Sequence, residues 1–484
     1  MLKPRNLLFY LSVLLVCGTG VYAILSYGAH LKPEASAPAA ATAGPEAPGK
    51  AAAPDAPKNL AGGLIDNLKQ PLPLLLLQVI VIVLAARILG ILFRRIGQPP
   101  VIGEMIAGIL LGPSLLGWLA PAAESFIFPA GGLGPLKMLS QIGVILFMFV
   151  VGIELDVQHL REKAHSAVMV SHASIVVPFF LGCLLSLGIY RALAGPGTPF
   201  IGFALFMAVS MSVTAFPVLA RIIDERRMNG SFLGTTAIAC AAVDDVTAWC
   251  LLAIVVAIAK ADGLGGSLMT IALTLVFIAA MLFLVRPRIA RIVERLPHIR
   301  TGAGFLAAIF SFVFASALFT EVIGIHALFG AFLAGVCMPQ DRGLRQFLRE
   351  RLETFSSTFL LPLFFAFTGL RTQVGLLNNW TNWLLCAAVI AVAITGKLGG
   401  SMAAARFTGM SWGDSFSLGA LMNTRGLVEL IVLNLGYDLG ILPPRIFAMM
   451  VLMALGTTFM TGPLLGAVEW VRRREMEMAS HAAA

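Results

Sequence analysis

Residues 234–259 read GTTAIACAAVDDVTAWCLLAIVVAIA, a run long enough to cross a bilayer with two adjacent carboxylates, Asp244 and Asp245, near its middle. A charge at mid-bilayer costs about 2.5–3.5 kcal/mol on insertion scales, so a membrane helix keeps such a pair only for a purpose. The rest of the chain supports the bilayer reading. Of 484 residues, 58% are hydrophobic and 12% charged, where an ordinary soluble domain carries about 25% charged residues. Mean hydropathy is +0.90. A bilayer admits only helices and closed barrels, and these apolar runs are long rather than alternating. The fold class is therefore all-α and polytopic.

Outward from that stretch, the thickness criterion predicts about 13 membrane-spanning helices. Their limits, good to a few residues at each end, are 72–93, 100–118, 134–153, 165–190, 199–221, 232–259, 267–286, 302–321, 324–338, 354–370, 380–403, 414–436 and 443–470. The transmembrane domain occupies 68–471. Before it, Lys3 and Arg5 precede the apolar run 7–26, so residues 1–30 are a signal peptide or a signal anchor. Residues 31–67 are largely Ala/Pro-rich low-complexity sequence, which cannot bury a core and reads as a disordered linker.

The 34 Lys+Arg against 25 Asp+Glu give a net charge of +9, but these residues do not form a nucleic-acid patch. They cluster in alternate loops: Arg94 and Arg95; Arg161 and Lys163; Arg226 and Arg227; Arg286 to Arg300; Arg342 to Arg351; and Arg472 to Arg474. The intervening loops hold only single cations such as Lys137, Arg191 and Arg371. Such asymmetry places the linker outside and the short 472–484 tail in the cytoplasm, in a multi-pass protein of the cytoplasmic membrane. The six cysteines are scattered through apolar segments without metal or redox spacing, and read as small core residues. No Walker loop or dinucleotide fingerprint is present, so no cofactor is implied, the protein is no enzyme, and an ion gradient is the expected energy source.

The ionisable residues inside the spans carry the chemistry. Neighbours on a helix point about 100° apart, so Asp244 and Asp245 cannot share one partner. One can pair with a fixed counter-charge while the other faces a water-filled cavity. Lys397, in the apolar run AAVIAVAITGKLGGSMAAA, is the candidate counter-charge, since no other lysine lies as deep. Two like charges this close split their proton affinities. A carboxylate that holds either a proton or a cation, but not both, is the minimum machinery for exchange. The plainer alternative is an architectural Asp244–Lys397 pair. Two further segments read as interrupted helices. AVSMSVTAFPVLARI places Ser210, Ser212, Thr214 and Pro217 mid-run, and Pro217 disfavours helix at Phe216. LGALMNTRGLVELIVLNLG places Asn423, Thr424, Arg425, Gly426 and Glu429 mid-run. Paired broken helices in the fifth and twelfth spans are the signature of inverted repeats with a midplane site. Crossed half-helices set partial charges against each other there, where Glu429 and Arg425 can compensate them. Of the histidines, His326 is the least implausible pH sensor.

Six stretches together resemble one family: PPVIGEMIAGILLGPSLLG (99–117), GVILFMFVVGIELD (143–156), SVTAFPVLARI (212–222), AVDDVTAW (242–249), ALFGAFLAGVCMP (327–339) and TRGLVELIVLNLG (424–436). The chain is similar to the monovalent cation:proton antiporter-2 family of the sodium/proton exchanger superfamily, including its plant cation/proton exchanger branch. The resemblance implies a homodimer with a dimerisation part and an ion-translocating core crossed by two broken helices. It implies that Asp245 binds cation and proton alternately, with Asp244 as its neighbour, Lys397 as the lysine paired with Asp244, and Thr214 in the first unwound stretch. The transported monovalent cation, Na+ or K+, is then the only metal, held at Asp245 and Asp244. Members with an Asp-Asp pair tend to be electrogenic, so electrogenic exchange is expected. The N-terminal run and Ala/Pro linker depart from the family pattern. Rival readings are a proton-coupled organic-solute carrier on the same fold and a membrane sensor without transport.

Overall fold

The computed structural model describes residues 4–33, 66–154, 164–228, 231–260, 264–295, 302–339 and 341–482. Most of the expected linker therefore lies outside the described residues. Among the described residues the ordered structure is helical throughout. The helices are α1 (Pro4–Gly28), α2 (Pro71–Arg95), α3 (Pro100–Leu111), α4 (Gly134–Glu154) and α5 (Ala164–Leu193); α6 (Phe200–Ser212) and α7 (Phe216–Glu225) flank a first break. Next come α8 (Phe232–Lys260), α9 (Leu264–Ala279), α10 (Ala303–Ile323), α11 (Ala327–Val336), α12 (Arg342–Phe355), α13 (Leu361–Leu370) and α14 (Trp380–Ile394). The pair α15 (Trp412–Met422) and α16 (Leu427–Asp438) flanks a second break, and α17 (Pro444–Ala482) closes the described chain. By length and composition, 12 helices of the described residues can cross a membrane, or 13 with the bent pair α15/α16.

The expected spans all coincide with helices, with one shortfall. The stretch 324–338 contributes only α11, whose 10 residues rise about 15 Å, half a bilayer. It is nevertheless almost wholly buried, which explains why hydropathy alone marked it as a span. Its contact with α4 is backbone to backbone: a Cβ on Gly152 would collide with the Phe332 carbonyl, and one on Gly335 with the Phe149 carbonyl. Small residues permit such approach where lipid supplies no hydrophobic drive between helices.

The N-terminal α1 packs on α5. Tyr10 Oη lies 3.0 Å from His172 Nδ1, and Phe9 stacks on Phe407 at 3.9 Å between ring centroids. His326 is the N-cap of α11, accepting from the Leu328 amide at 3.4 Å. All six cysteines are free; five are buried as expected, whereas Cys250 is exposed on the outer face of α8.

Candidate functional site

The two breaks meet. Chain direction is lost over Val213, Thr214 and Ala215, with Val213 and Ala215 extended. Helix resumes at Phe216, so Pro217 does not unwind its predecessor. It sits within the first turn of α7, where a missing N–H leaves no helical bond unmade. The second break runs through Asn423 to Gly426, whose φ of 171° is extended. Across the crossing, the Ala215 amide donates to the Thr424 carbonyl at 3.0 Å. Thr214 Oγ1 lies 3.1 Å from the Met422 carbonyl. A Cβ on Gly426 would stand 2.9 Å from a Val218 methyl, so the approach favours glycine.

Four helix ends thus converge, and each leaves backbone groups without intrahelical partners. The carbonyl end of α6 is met by cations. Arg425 donates to the Ser210 carbonyl at 2.8 Å and the Met211 carbonyl at 2.7 Å, and Lys397 Nζ donates to the Ser212 carbonyl. Cations are favourable at the carbonyl end of a helix, where the macrodipole is negative. At the amide end of α16, Glu429 lies in the first turn and stands 3.5 Å from Arg425. Thr458 of α17 closes the second break, accepting from the Arg425 amide at 2.9 Å and donating to its carbonyl at 2.8 Å.

Beside this crossing runs α8. Asp244 is wholly buried, and its carboxylate accepts from Ser171 and Ser174 of α5, from Thr214 at 2.7 Å, and from Lys397 at 2.8 Å. Lys397 lies in a π-helical turn, Thr395–Gly399, between α14 and the short helix Gly400–Phe407. It donates also to Ser174 Oγ at 3.2 Å. Widened turns of this kind recur at functional sites. Asp245, one residue on, is 1% exposed and its two oxygens accept no bond at hydrogen-bond geometry. The amide of Phe216, at the start of α7, faces it.

The structure brings Asp244, Asp245, Thr214, Lys397, Arg425 and Glu429 together at one level. Thr214, grouped with the ion-binding residues on sequence, lies in the first break with its hydroxyl directed to Asp244 and the Met422 carbonyl. One expectation changes: Asp245, expected to face a water-filled cavity, is enclosed in this conformation. A cavity of about 650 Å³ approaches from the arginine-rich end, lined by Glu104, Glu154, Arg221, Asp224, Arg349 and Glu353 among others; Pro217, Val218 and Leu427 belong to its wall, but Asp245 does not. The start of α7 faces the carboxylate through the Phe216 amide, and Pro217, Val218 and Leu427 form the cavity wall instead of Asp245. Ser171 and Ser174 were not anticipated, although their i, i+3 spacing puts both hydroxyls on one face of α5.

At the opposite end of α4 the helices are latched together. Asp438, ending α16, lies 2.8 Å from Lys137 of α4 and 2.7 Å from Arg371 after α13. Lys137 and Glu154 are about 26 Å apart along α4 at 1.5 Å per residue.

Residues 80–469 match the family described as "Sodium/hydrogen exchanger, transmembrane". The chain is 46% identical over 394 residues to a Na(+)/H(+) antiporter, NhaS4, of Synechocystis, an alignment covering 81% of this chain and 96% of that one. It is 41% identical over 406 residues to Cation/H(+) antiporter 17 of Arabidopsis thaliana, covering 83% of this chain and 49% of the relative. It is 35% identical over 423 residues to K(+)/H(+) antiporter 1 of Saccharomyces cerevisiae, covering 84% of this chain and 48% of the relative. The chain thus spans about half the length of these plant and yeast relatives. In fold it is similar to the sodium proton antiporter MjNhaP1 from Methanocaldococcus jannaschii, with TM-score 0.55 and 12% identity over 83% of this chain and 98% of that one.

Proposed function

The chain belongs to the sodium/hydrogen exchanger family, and from that premise we propose that it is a secondary antiporter exchanging a monovalent cation, Na+ or K+, for protons by alternating access. Asp245 is the group that takes the two substrates in turn. The observation that carries this reading is the contrast within one helix turn: Asp244 has every lone pair it needs satisfied, whereas Asp245 is buried with none. A buried carboxylate with no bonded donor is costly as an anion, by several kcal/mol. A proton or a cation removes that cost, and the two cannot occupy the same oxygens together. In this conformation Lys397 and Arg425 hold the charge of Asp244 and of the α6 carbonyl end, and Glu429 balances Arg425.

Charge counting bears on electrogenicity. A cycle in which only Asp245 changes partner moves one proton per cation and no net charge. Electrogenic exchange takes a second proton, which the Asp244–Lys397 pair can accept or release when it parts. We place the arginine-rich end, and with it the 650 Å³ cavity, on the cytoplasmic side of the cell membrane, with 31–67 outside as a linker and 472–484 as a cytoplasmic tail. The 1–30 segment acts as an anchor whose helix rests on α5, and the protein works as a homodimer.

The test is exchange in proteoliposomes carrying a pH gradient. Added Na+, K+ or Li+ dissipates the gradient with the wild-type protein, and Asp245→Asn does not support it. A wild-type protein inert to all three cations, or an Asp245→Asn variant with full activity, overturns the reading. Repeating the assay with the membrane potential clamped and then released reports whether the exchange moves charge.

A further inference from the structure

Asn423 is wholly buried, yet neither its carboxamide oxygen nor its nitrogen has a hydrogen-bond partner. Buried polar side-chain atoms are paired in the large majority of cases, and an orphaned one is destabilising. An amide with both ends unpaired therefore asks for an explanation. Its position supplies one. Asn423 is the C-cap of α15 and the first residue of the second break. The residues on either side of it are both tied to the first break: the Met422 carbonyl accepts from Thr214, and the Thr424 carbonyl accepts from the Ala215 amide. Thr214 in turn holds Asp244, and Phe216, next after Ala215, presents its amide to Asp245. Asn423 is therefore pinned at the crossing, beside the level of α8 where the Asp245 carboxylate is buried, also unpartnered. The Ser210 hydroxyl is likewise wholly buried without a partner, and the Glu429 carboxylate, though it accepts no bond at hydrogen-bond geometry, is matched in charge by Arg425 at 3.5 Å.

We propose that Asn423 is a cation-binding residue, supplying from the second break a neutral oxygen ligand to the monovalent cation held by Asp245. The chemistry is suitable. Alkali cations are hard and take oxygen donors, and a carboxamide oxygen adds coordination without adding charge. A cation entering this crossing loses water and must recover ligands from the protein. The protonated form of Asp245 needs no such ligand. A neutral ligand from α15 therefore favours the cation over the proton, and its reach influences which alkali ion fits. Because α8 and the second break belong to separate segments, the cation also draws the two together when it binds.

This inference rests on the antiport reading, and the experiment separates the two. The apparent KM for Na+, K+ and Li+ is measured at fixed pH in proteoliposomes for wild type, Asn423→Ala and Asn423→Ser. For Asn423→Ala the expected result is a KM raised about tenfold, equivalent to about 1.4 kcal/mol of lost cation binding. The rate at saturating cation stays within about twofold, the order of preference among the three cations changes, and Asn423→Ser, which keeps an oxygen, falls between. If the alanine variant does not assemble, the serine variant and the cation-induced rise in melting temperature carry the test, since a ligand that binds the folded state stabilises it. That rise shrinks in the serine variant. An unchanged KM and cation order in a folded Asn423→Ala protein, or a lower saturated rate with KM unaltered, overturns the proposal and leaves antiport standing. A wild-type protein without exchange overturns antiport itself.

Discussion

The two sides of α8 at its midpoint are built on opposite principles. Towards α5 and α14, Asp244 is surrounded by donors on three other segments: Ser171 and Ser174, Thr214, and Lys397. Towards the crossing, Asp245 has no bonded donor, and Asn423 in the break is likewise unpartnered. The saturated side fixes α8 against the rest of the site. The unsaturated side keeps free coordination at a place where every other charge is already matched. A structure that satisfied both carboxylates would be more stable and unable to exchange, and one that satisfied neither would not hold its helices in register.

That comparison would be broken most completely at Asp245, where the asparagine substitution should remove exchange altogether in the liposome assay. On the saturated side the first loss is structural. Taking one member from a buried ion pair leaves an uncompensated charge, at about 3–5 kcal/mol. Lys397→Met or Asp244→Leu alone should therefore lower the melting temperature of the purified protein sharply. The double variant Asp244→Leu/Lys397→Met should recover much of it, because two apolar side chains can replace a buried pair nearly neutrally. A double variant as unstable as the sum of the singles would show that the pair is not the coupled unit the 2.8 Å contact suggests.

The hydroxyl donors come next. Ser171→Ala, Ser174→Ala and Thr214→Val each remove one hydrogen bond to a charged group, worth about 1.5–3 kcal/mol. Thr214→Val should cost most, because its hydroxyl also reaches the Met422 carbonyl and so joins the two breaks. Stability of the three variants, measured side by side, checks the order.

Much of this was legible in the sequence, for physical reasons that differ from residue to residue. Hydropathy marks spans because the bilayer leaves a chain no other way to satisfy its backbone. Pro217 marked the first break only by neighbourhood, since it is accommodated in the first turn of α7 and the unwound residues lie just before it, whereas the Asn-Thr-Arg-Gly run is itself the second break. Lys397 could be paired with an aspartate because no other lysine lay as deep. Ser171 and Ser174 escaped, since a serine within an apolar helix ordinarily bonds its own preceding turn, and only the tertiary placement of α5 turns these two towards Asp244. The bonds from Arg425 to the carbonyls of residues 210 and 211 join positions more than two hundred residues apart, and no local pattern encodes them. The enclosure of Asp245 was missed because a sequence holds no conformational state: whether water reaches a carboxylate depends on how the helices around it stand at that moment.

The smallest expected effect lies farthest from α8, at the latch where Asp438 joins Lys137 and Arg371. These side chains are part-exposed, with Lys137 at 34% and Asp438 at 25%, so solvent screens them and the pair is worth about 1 kcal/mol or less. Arg371 also donates to Asn434 at 3.1 Å and lies 4.5 Å from the centre of the Phe367 ring. The guanidinium therefore keeps partners when Asp438 is changed. Asp438→Asn should hardly alter stability. Alternating access nevertheless requires this end to open while the cavity at the arginine-rich end closes, and a contact of that size is easily shed within a transport cycle. The variant should therefore raise the reactivity of an engineered cysteine on the latched side towards a membrane-impermeant thiol reagent by about fivefold, the factor equivalent to roughly 1 kcal/mol, while exchange persists. Unchanged reactivity would mean that apolar packing among α4, α13 and α16, rather than the three charges, keeps that end shut.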